Sequence, residues 1–194
     1  MFAAGAEFAA KNHRYVVTLA PVGMLHLPSG RVVTGDAIGT LDFEPLTRSA
    51  PTGVYPVEAS LATVSKNESR IAAARIVFSH QPVVTWEVAV GGTGATTPSP
   101  NGAGYTGPLG LFIDADALPA LQRYIDESAG EWWYAVPRTR GAKWEYGCFQ
   151  PDDDREETCA IFQTGDGDGV FVSYWGLDAN GAPVMLVTDF NVIP

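Results

Sequence analysis

The sequence predicts a mostly β (α+β) protein: an antiparallel β-sandwich or partly open barrel with one packed helix, at about residues 116–128. Three observations carry that reading. Short runs rich in β-branched and aromatic residues recur along the chain, separated by clusters of turn residues. Glycine (21) and proline (14) are abundant enough to close many turns. Only one segment shows clear helical periodicity. Hydrophobic residues make up 46% of the 194 and charged residues 18%, which is enough apolar material for one core. Neither a linker nor an internal repeat divides the chain, so residues 1–194 are read as a single β-rich domain.

The elements follow in order. Residues 3–12 are read as a short helical arm. Val22–Leu27 and Arg31–Thr34 are read as two strands of a hairpin, joined by Pro28-Ser29-Gly30, where proline presets φ and glycine supplies a positive φ. Gly53–Val64, Arg70–Ser79 and Val83–Val90 then form a meander. In its third strand Val84, Trp86, Val88 and Val90 alternate with Val83, Thr85, Glu87 and Ala89. That period of two places Trp86 in the core and Glu87 outside. Arg75 sits among apolar residues in IAAARIVF and needs a partner if it is buried.

Residues 91–110 (GGTGATTPSPNGAGYTGPLG) carry no periodicity and are read as a mobile surface loop or a ligand lid. No Gly-Lys-Ser/Thr follows its glycines, so it is not a phosphate-cradling loop. In LFIDADALPALQRYIDESAG, Leu118, Leu121, Tyr124 and Ile125 share a helical face. Asp116 is the expected N-cap, Pro119 falls in the tolerant first turn and Gly130 suits the stop. Thereafter EWWYAVP, KWEYGCFQ, CAIFQT, VFVSYWG and PVMLVTDF read as strands. Asp178-Ala179-Asn180-Gly181 is the hairpin turn between the last two.

The balance of 12 Lys and Arg against 22 Asp and Glu gives a net charge of −10. Such a field repels a phosphate backbone, so nucleic acid is not an expected ligand. No apolar run reaches the roughly 18 residues of a membrane span, and MFAAGAEFAAKNHR lacks the basic start of a signal peptide. A cytoplasmic protein without a membrane contact is expected. Cys148 and Cys159 are read as reduced thiols. Folding PDDDREET as a hairpin centred between Asp153 and Asp154 would set the two cysteines opposite one another, within reach of a bridge in air.

Chemical motifs are sparse. Gly165-Asp166-Gly167-Asp168-Gly169 resembles the start of a calcium loop, but valine occupies position 170, where that pattern needs another ligand. His13, His26 and His80 are scattered. No metal or cofactor is expected. A Gly-x-Ser-x-Gly elbow is missing, and a Cys148 nucleophile paired with His26 or His80 is less economical than an inert buried thiol. The carboxylates Asp114 with Asp116, Glu87, Glu131 and Glu145, with Trp132, Trp133, Trp144 and Trp175, would suit a sugar-cleaving site, but caps and β-core packing account for them more simply.

The closing stretch GDGDGVFVSYWGLDANGAPVMLVTDF resembles the ending of an uncharacterised bacterial family, domain of unknown function 4241. LPSGRVVTGD, GVYPVEASLATV, RIAAARIVFS, PVVTWEVAV and GLFIDADAL match further pieces of its pattern, in order, from about Val22 to Phe190. The resemblance implies no catalytic role. It implies that Asp36, Arg75, Trp86, Glu87, Asp114, Asp168, Tyr174 and Asp189 occupy recurring positions.

Two functions are therefore carried forward. The first is a binding or interaction protein, of the kind that neutralises a protein partner, with Arg75, Trp86, Tyr174 and Trp175 as binding residues. A small-molecule ligand is the other partner class considered. The second is a small carboxylate-dependent hydrolase, with a pocket lined by aromatics and with Glu87, Asp114 and Asp168 as its acids. Convergence of these side chains on one pocket would separate the two.

Overall fold

The computed structural model describes residues 2–10, 13–37, 43–65, 68–91, 104–105, 108–128 and 146–193. Twelve strands, a 3-10 turn and one helix are assigned among them. The strands are β1 (Glu7–Ala10), β2 (His13–Leu27), β3 (Val32–Asp36), β4 (Gly53–Ser65), β5 (Glu68–Val77) and β6 (Thr85–Val88), followed by β7 (Gly104–Tyr105), β8 (Leu109–Asp114), β9 (Tyr146–Phe149), β10 (Cys159–Gln163), β11 (Phe171–Leu177) and β12 (Pro183–Asp189). The helix α1 spans Leu118–Glu127, after a 3-10 turn at Ala115–Ala117.

The larger sheet runs β1-β2-β4-β5-β12-β11-β6, with β7 also on β11; the smaller runs β3-β8-β10-β9. All pairings within them are antiparallel. The large sheet curls into half a barrel, and the second sheet closes its concave side. Register breaks bend its longest strands, one at Pro21/Gly23 in β2 and two in β4.

Strand alternation then builds three layers. Val32, Phe112, Ala160 and Phe162 of the small sheet face the large one, where Leu25, Val57, Ile76, Trp175 and Leu186 complete the main core. Val33, Leu111, Ile113, Cys159 and Ile161 face the other way, under α1. Every residue of β8 is buried, because the core covers one of its faces and the helix covers the other. All four residues expected on the helix's apolar face pack there: Leu118, Leu121, Tyr124 and Ile125.

Several elements differ from expectation. Residues 7–10 form a strand on β2, not a helical arm, and Phe8 packs with Val17, Ala62 and Ala72 on the sheet's outer side. The chain around Pro28-Ser29-Gly30 makes no hairpin, because β2 pairs with β4 and β3 with β8, in different sheets. The third meander strand is the four-residue β6, and it joins β11 because β12 already occupies the edge of β5. The expected strand EWWYAVP, the residues Trp132, Trp133, Trp144, Glu131, Glu145 and Gly130, and most of the 91–110 loop lie outside the described residues; β7 and the start of β8 fall within that loop.

Asp114, not Asp116, caps the helical segment. Its carboxylate accepts from the Asp116 N–H at 3.0 Å, and from the Ser29 N–H and hydroxyl at 2.9 and 2.6 Å. Asp116 is exposed and pairs with Arg31. Among the described residues no helix is long and apolar enough to cross a membrane.

Candidate functional site

The outer face of the large sheet carries a cleft of about 410 Å³, lined by Phe2, Ala3, Arg75, Trp86, Tyr174, Met185, Val187 and Asp189. Register explains the grouping. Val88, Tyr174, Val187 and Arg75 are successive cross-strand partners on β6, β11, β12 and β5, and Glu58 on β4 continues the row. Trp86 lies two pairs further along and on the same face, opposite Gly176. A Cβ at Gly176 would meet the Met185 and Val83 side chains at 3.0 Å and the Trp86 ring at 3.2 Å. Glycine there lets the indole approach the sheet closely.

Arg75 has the partner its surroundings demand. Its Nε and Nη2 donate to the same Glu58 oxygen at 2.8 and 2.6 Å. Its guanidinium carbon lies over the Phe2 ring, 4.4 Å from the centroid. Asp189 is half-buried at the other side. Burial raises its carboxyl above the ordinary range, while a backbone N–H from Asn191 at 2.9 Å pulls the other way.

Trp86 is not core: its side chain is 53% exposed. It belongs to an edge strand whose residues are all exposed. Val84, Val88 and Val90 are exposed as well. The period of two is kept, but its faces are reversed: Ala89, on the side of Glu87, is buried in the main core, while Trp86 lies on the outer face of the sheet with Tyr174. The Ala89 N–H donates to Ser173 of β11, so by alternation the N–H and C=O groups of Trp86 and Val88 point away from the sheet. Among the described residues no strand pairs there over Thr85–Val88.

The remaining expected site residues lie elsewhere. Trp175 is on the opposite face of β11, 1% exposed and stacked on Phe78 at 5.9 Å. Glu87 lies across the same strand pair and is bound to Arg48 at 2.6 Å. These three line a second cavity of about 390 Å³ with Thr47, Val88 and Val90. Asp114 is fully buried at the end of β8. Asp168 is exposed between β10 and β11. Asp36 ends β3, paired with Gly110. Glu87, Asp114 and Asp168 thus sit in three separate places. Among the described residues no group of three His, Cys, Asp or Glu is placed to hold a metal ion.

Phe2, Met185 and Val187 were not foreseen as cleft residues. The signal for the last two was available, since they flank Leu186 in the period-two pattern of β12 and share a face with Asp189.

The order of these motifs decides the family. The model of the family described as "Protein of unknown function (DUF4241)" matches residues 25–188. The chain belongs to the DUF4241 family. Comparison with curated proteins and with solved structures finds no match. The DUF4241 match covers the smaller sheet, the helix and the larger sheet from the end of β2 onward, and it includes Arg75, Trp86, Tyr174, Met185 and Val187. It ends one residue before Asp189 and leaves out Phe2 and Ala3.

Proposed function

We propose that this DUF4241 protein is a binding module that holds an extended segment of a protein partner along β6, beside the outer-face cleft. One observation carries the reading: an apolar cleft opens next to a strand edge whose backbone groups at Trp86 and Val88 have no strand partner among the described residues. An added strand would pair with those groups, while the exposed Val84, Trp86 and Val88 supply the apolar contact. The net charge of −10 favours a basic segment and works against pairing of two copies. Covering such a segment would neutralise the partner's use of it.

Binding is preferred to hydrolysis because Glu87, Asp114 and Asp168 are not gathered around one space. The test is selection from a random peptide display library on the native protein, on Trp86→Ala and on Val88→Asp. The expected result is enrichment of short, basic, alternating apolar sequences on the native protein alone. Equal enrichment on all three proteins overturns the reading. So does turnover of chromogenic glycosides or esters that Glu87→Gln abolishes.

A further inference from the structure

We infer that the outer cleft is a receptor for an aromatic ring bearing a cationic group, and that Phe2 is its built-in competitor. The inference rests on the binding reading above and specifies what its cleft accepts. Glu58 takes two of the five N–H donors of Arg75 and holds the guanidinium in place at the cleft. A fixed guanidinium attracts an aromatic ring, and its central carbon already lies over the Phe2 ring, 4.4 Å from the centroid. The chain's own side chain therefore shows what the surface takes.

The other walls suit the same guest. Trp86 and Tyr174 present aromatic surface, and Met185 and Val187 give an adaptable apolar floor. Arg75 and Glu58 cancel as an ion pair, and Asp189 is the acid left to a guest; it already feels the attraction of one cation, the chain's N-terminal ammonium. Asp189 Oδ1 accepts the Asn191 N–H, and among the described residues no donor is placed on its other oxygen. An ammonium group on the ring's substituent would reach that oxygen in a half-buried setting, where a charge-assisted hydrogen bond is strong.

Phe2 is lightly held. Ala3, Ala4 and Gly5 behind it are exposed, and the nearest tie to the sheet is the Gly5 N–H on Val17 O at 2.8 Å. A guest that needs the Arg75 face must displace the ring, so its apparent affinity falls by the fraction of time the face is covered.

The test titrates three compounds with the same ring into the full chain: 2-phenylethylamine, benzyl alcohol and phenylacetate. Amide shifts of Val187 and the indole N–H shift of Trp86 report binding. The amine should bind most tightly and phenylacetate least. Phe2→Ala should tighten the amine by about 2- to 5-fold, the worth of one exposed cation–π contact. Asp189→Asn should remove the preference for the amine while leaving benzyl alcohol unchanged. Equal or weaker binding to Phe2→Ala makes Phe2 a wall and overturns the competitor. Shifts of Val187 and Trp86 with none of the three compounds overturn the receptor, even if the peptide selection succeeds. The expected pattern without peptide enrichment overturns only the protein-partner reading.

Discussion

Arg75 and Glu58 lie directly opposite one another across the β4–β5 ladder, on the outer face of the large sheet. The guanidinium grips one carboxylate oxygen through two nitrogens, and both side chains are mostly covered, at 17% and 30% exposure. The pair is therefore screened less than a surface ion pair. Removing the acid strands a guanidinium among apolar neighbours. Glu58→Ala should cost about 1–3 kcal/mol, read as a lower urea midpoint at unchanged slope. Glu58→Gln, which keeps an acceptor, should cost less. Equal stability of all three proteins would mean that the pair contributes nothing beyond what water supplies.

Asp189 should make stability fall as pH rises. Burial raises its folded-state pKa above the ordinary 3.8, so the native state binds the proton more readily than the unfolded chain does. Stability from this group is fully present below 3.8 and is lost as pH climbs through the raised value. Asp189→Asn keeps an acceptor for the Asn191 N–H and removes the charge. It should melt above the native protein at neutral pH, and the gap should close as the pH falls below the ordinary carboxyl range. A gap that widens in acid would reverse the sign. A carboxylate kept at a cost to stability, in a cleft, fits a role in holding a ligand.

Asp114 should behave as a structural residue. Its oxygens accept from Ser29 N–H, the Ser29 hydroxyl and the Asp116 N–H, tying the turn after β2 to the start of the helical segment. Asp114→Ala loses a cap and orphans buried donors, at about 2–4 kcal/mol. Denaturation combined with the peptide selection separates this from a role in binding. The folded variant should enrich the same sequences as the native protein.

Gly176 should govern the position of Trp86. A methyl there would press on Met185, Val83 and the indole together. Gly176→Ala should shift the Trp86 indole N–H resonance and weaken any guest of the cleft, with a stability cost of about 1 kcal/mol. An unmoved indole would show that Met185 alone absorbs the methyl.

The sequence carried the class of fold and most strands, because period-two patterns, turn residues and one amphipathic helix are local signals. Partner choice was not local. Nothing in Val83–Val90 says that its neighbour is β11, nor which of its two faces meets the core, so Trp86 was assigned to the core. Likewise, the turn chemistry of Pro28-Ser29-Gly30 is the same whether the chain returns to its own sheet or crosses to another. The fully buried β8 was hidden for a related reason. Two covered faces erase alternation, and LGLFID blends into the helix that follows. At the site, Arg75, Trp86 and Tyr174 stood out in the sequence as a lone charge and two aromatics. Trp175, adjacent in sequence to Tyr174, points to the other side of the sheet.

The hairpin that joins β9 to β10 gives the last prediction. A loop centred between Asp153 and Asp154 would set Cys148 opposite Cys159, but Cys159 pairs with Phe149, and Cys148 with Ala160. Thr158 accounts for the slip. Its hydroxyl donates to Met24 O at 2.9 Å and accepts the His26 N–H at 3.0 Å, which ties the returning chain to β2 and adds one residue to that side of the loop. A one-residue slip sends the thiols to opposite faces. Cys148 packs toward the main core, where a Cβ on Gly23 would lie 2.7 Å from its sulfur; Cys159 lies under the helix. Burial pushes the Cys148 thiol up to about 12, and burial, with the neighbouring Cys148, holds Cys159 well above its usual range. Thiolate, the reactive form, is therefore scarce in the native protein at neutral pH. A thiol-specific chromogenic reagent should label neither cysteine rapidly in the folded state, and both once denaturant is added. Air should not bridge them within one folded chain. Rapid native labelling, or an intramolecular disulfide by mass analysis after aeration, would show that the hairpin adopts the other register.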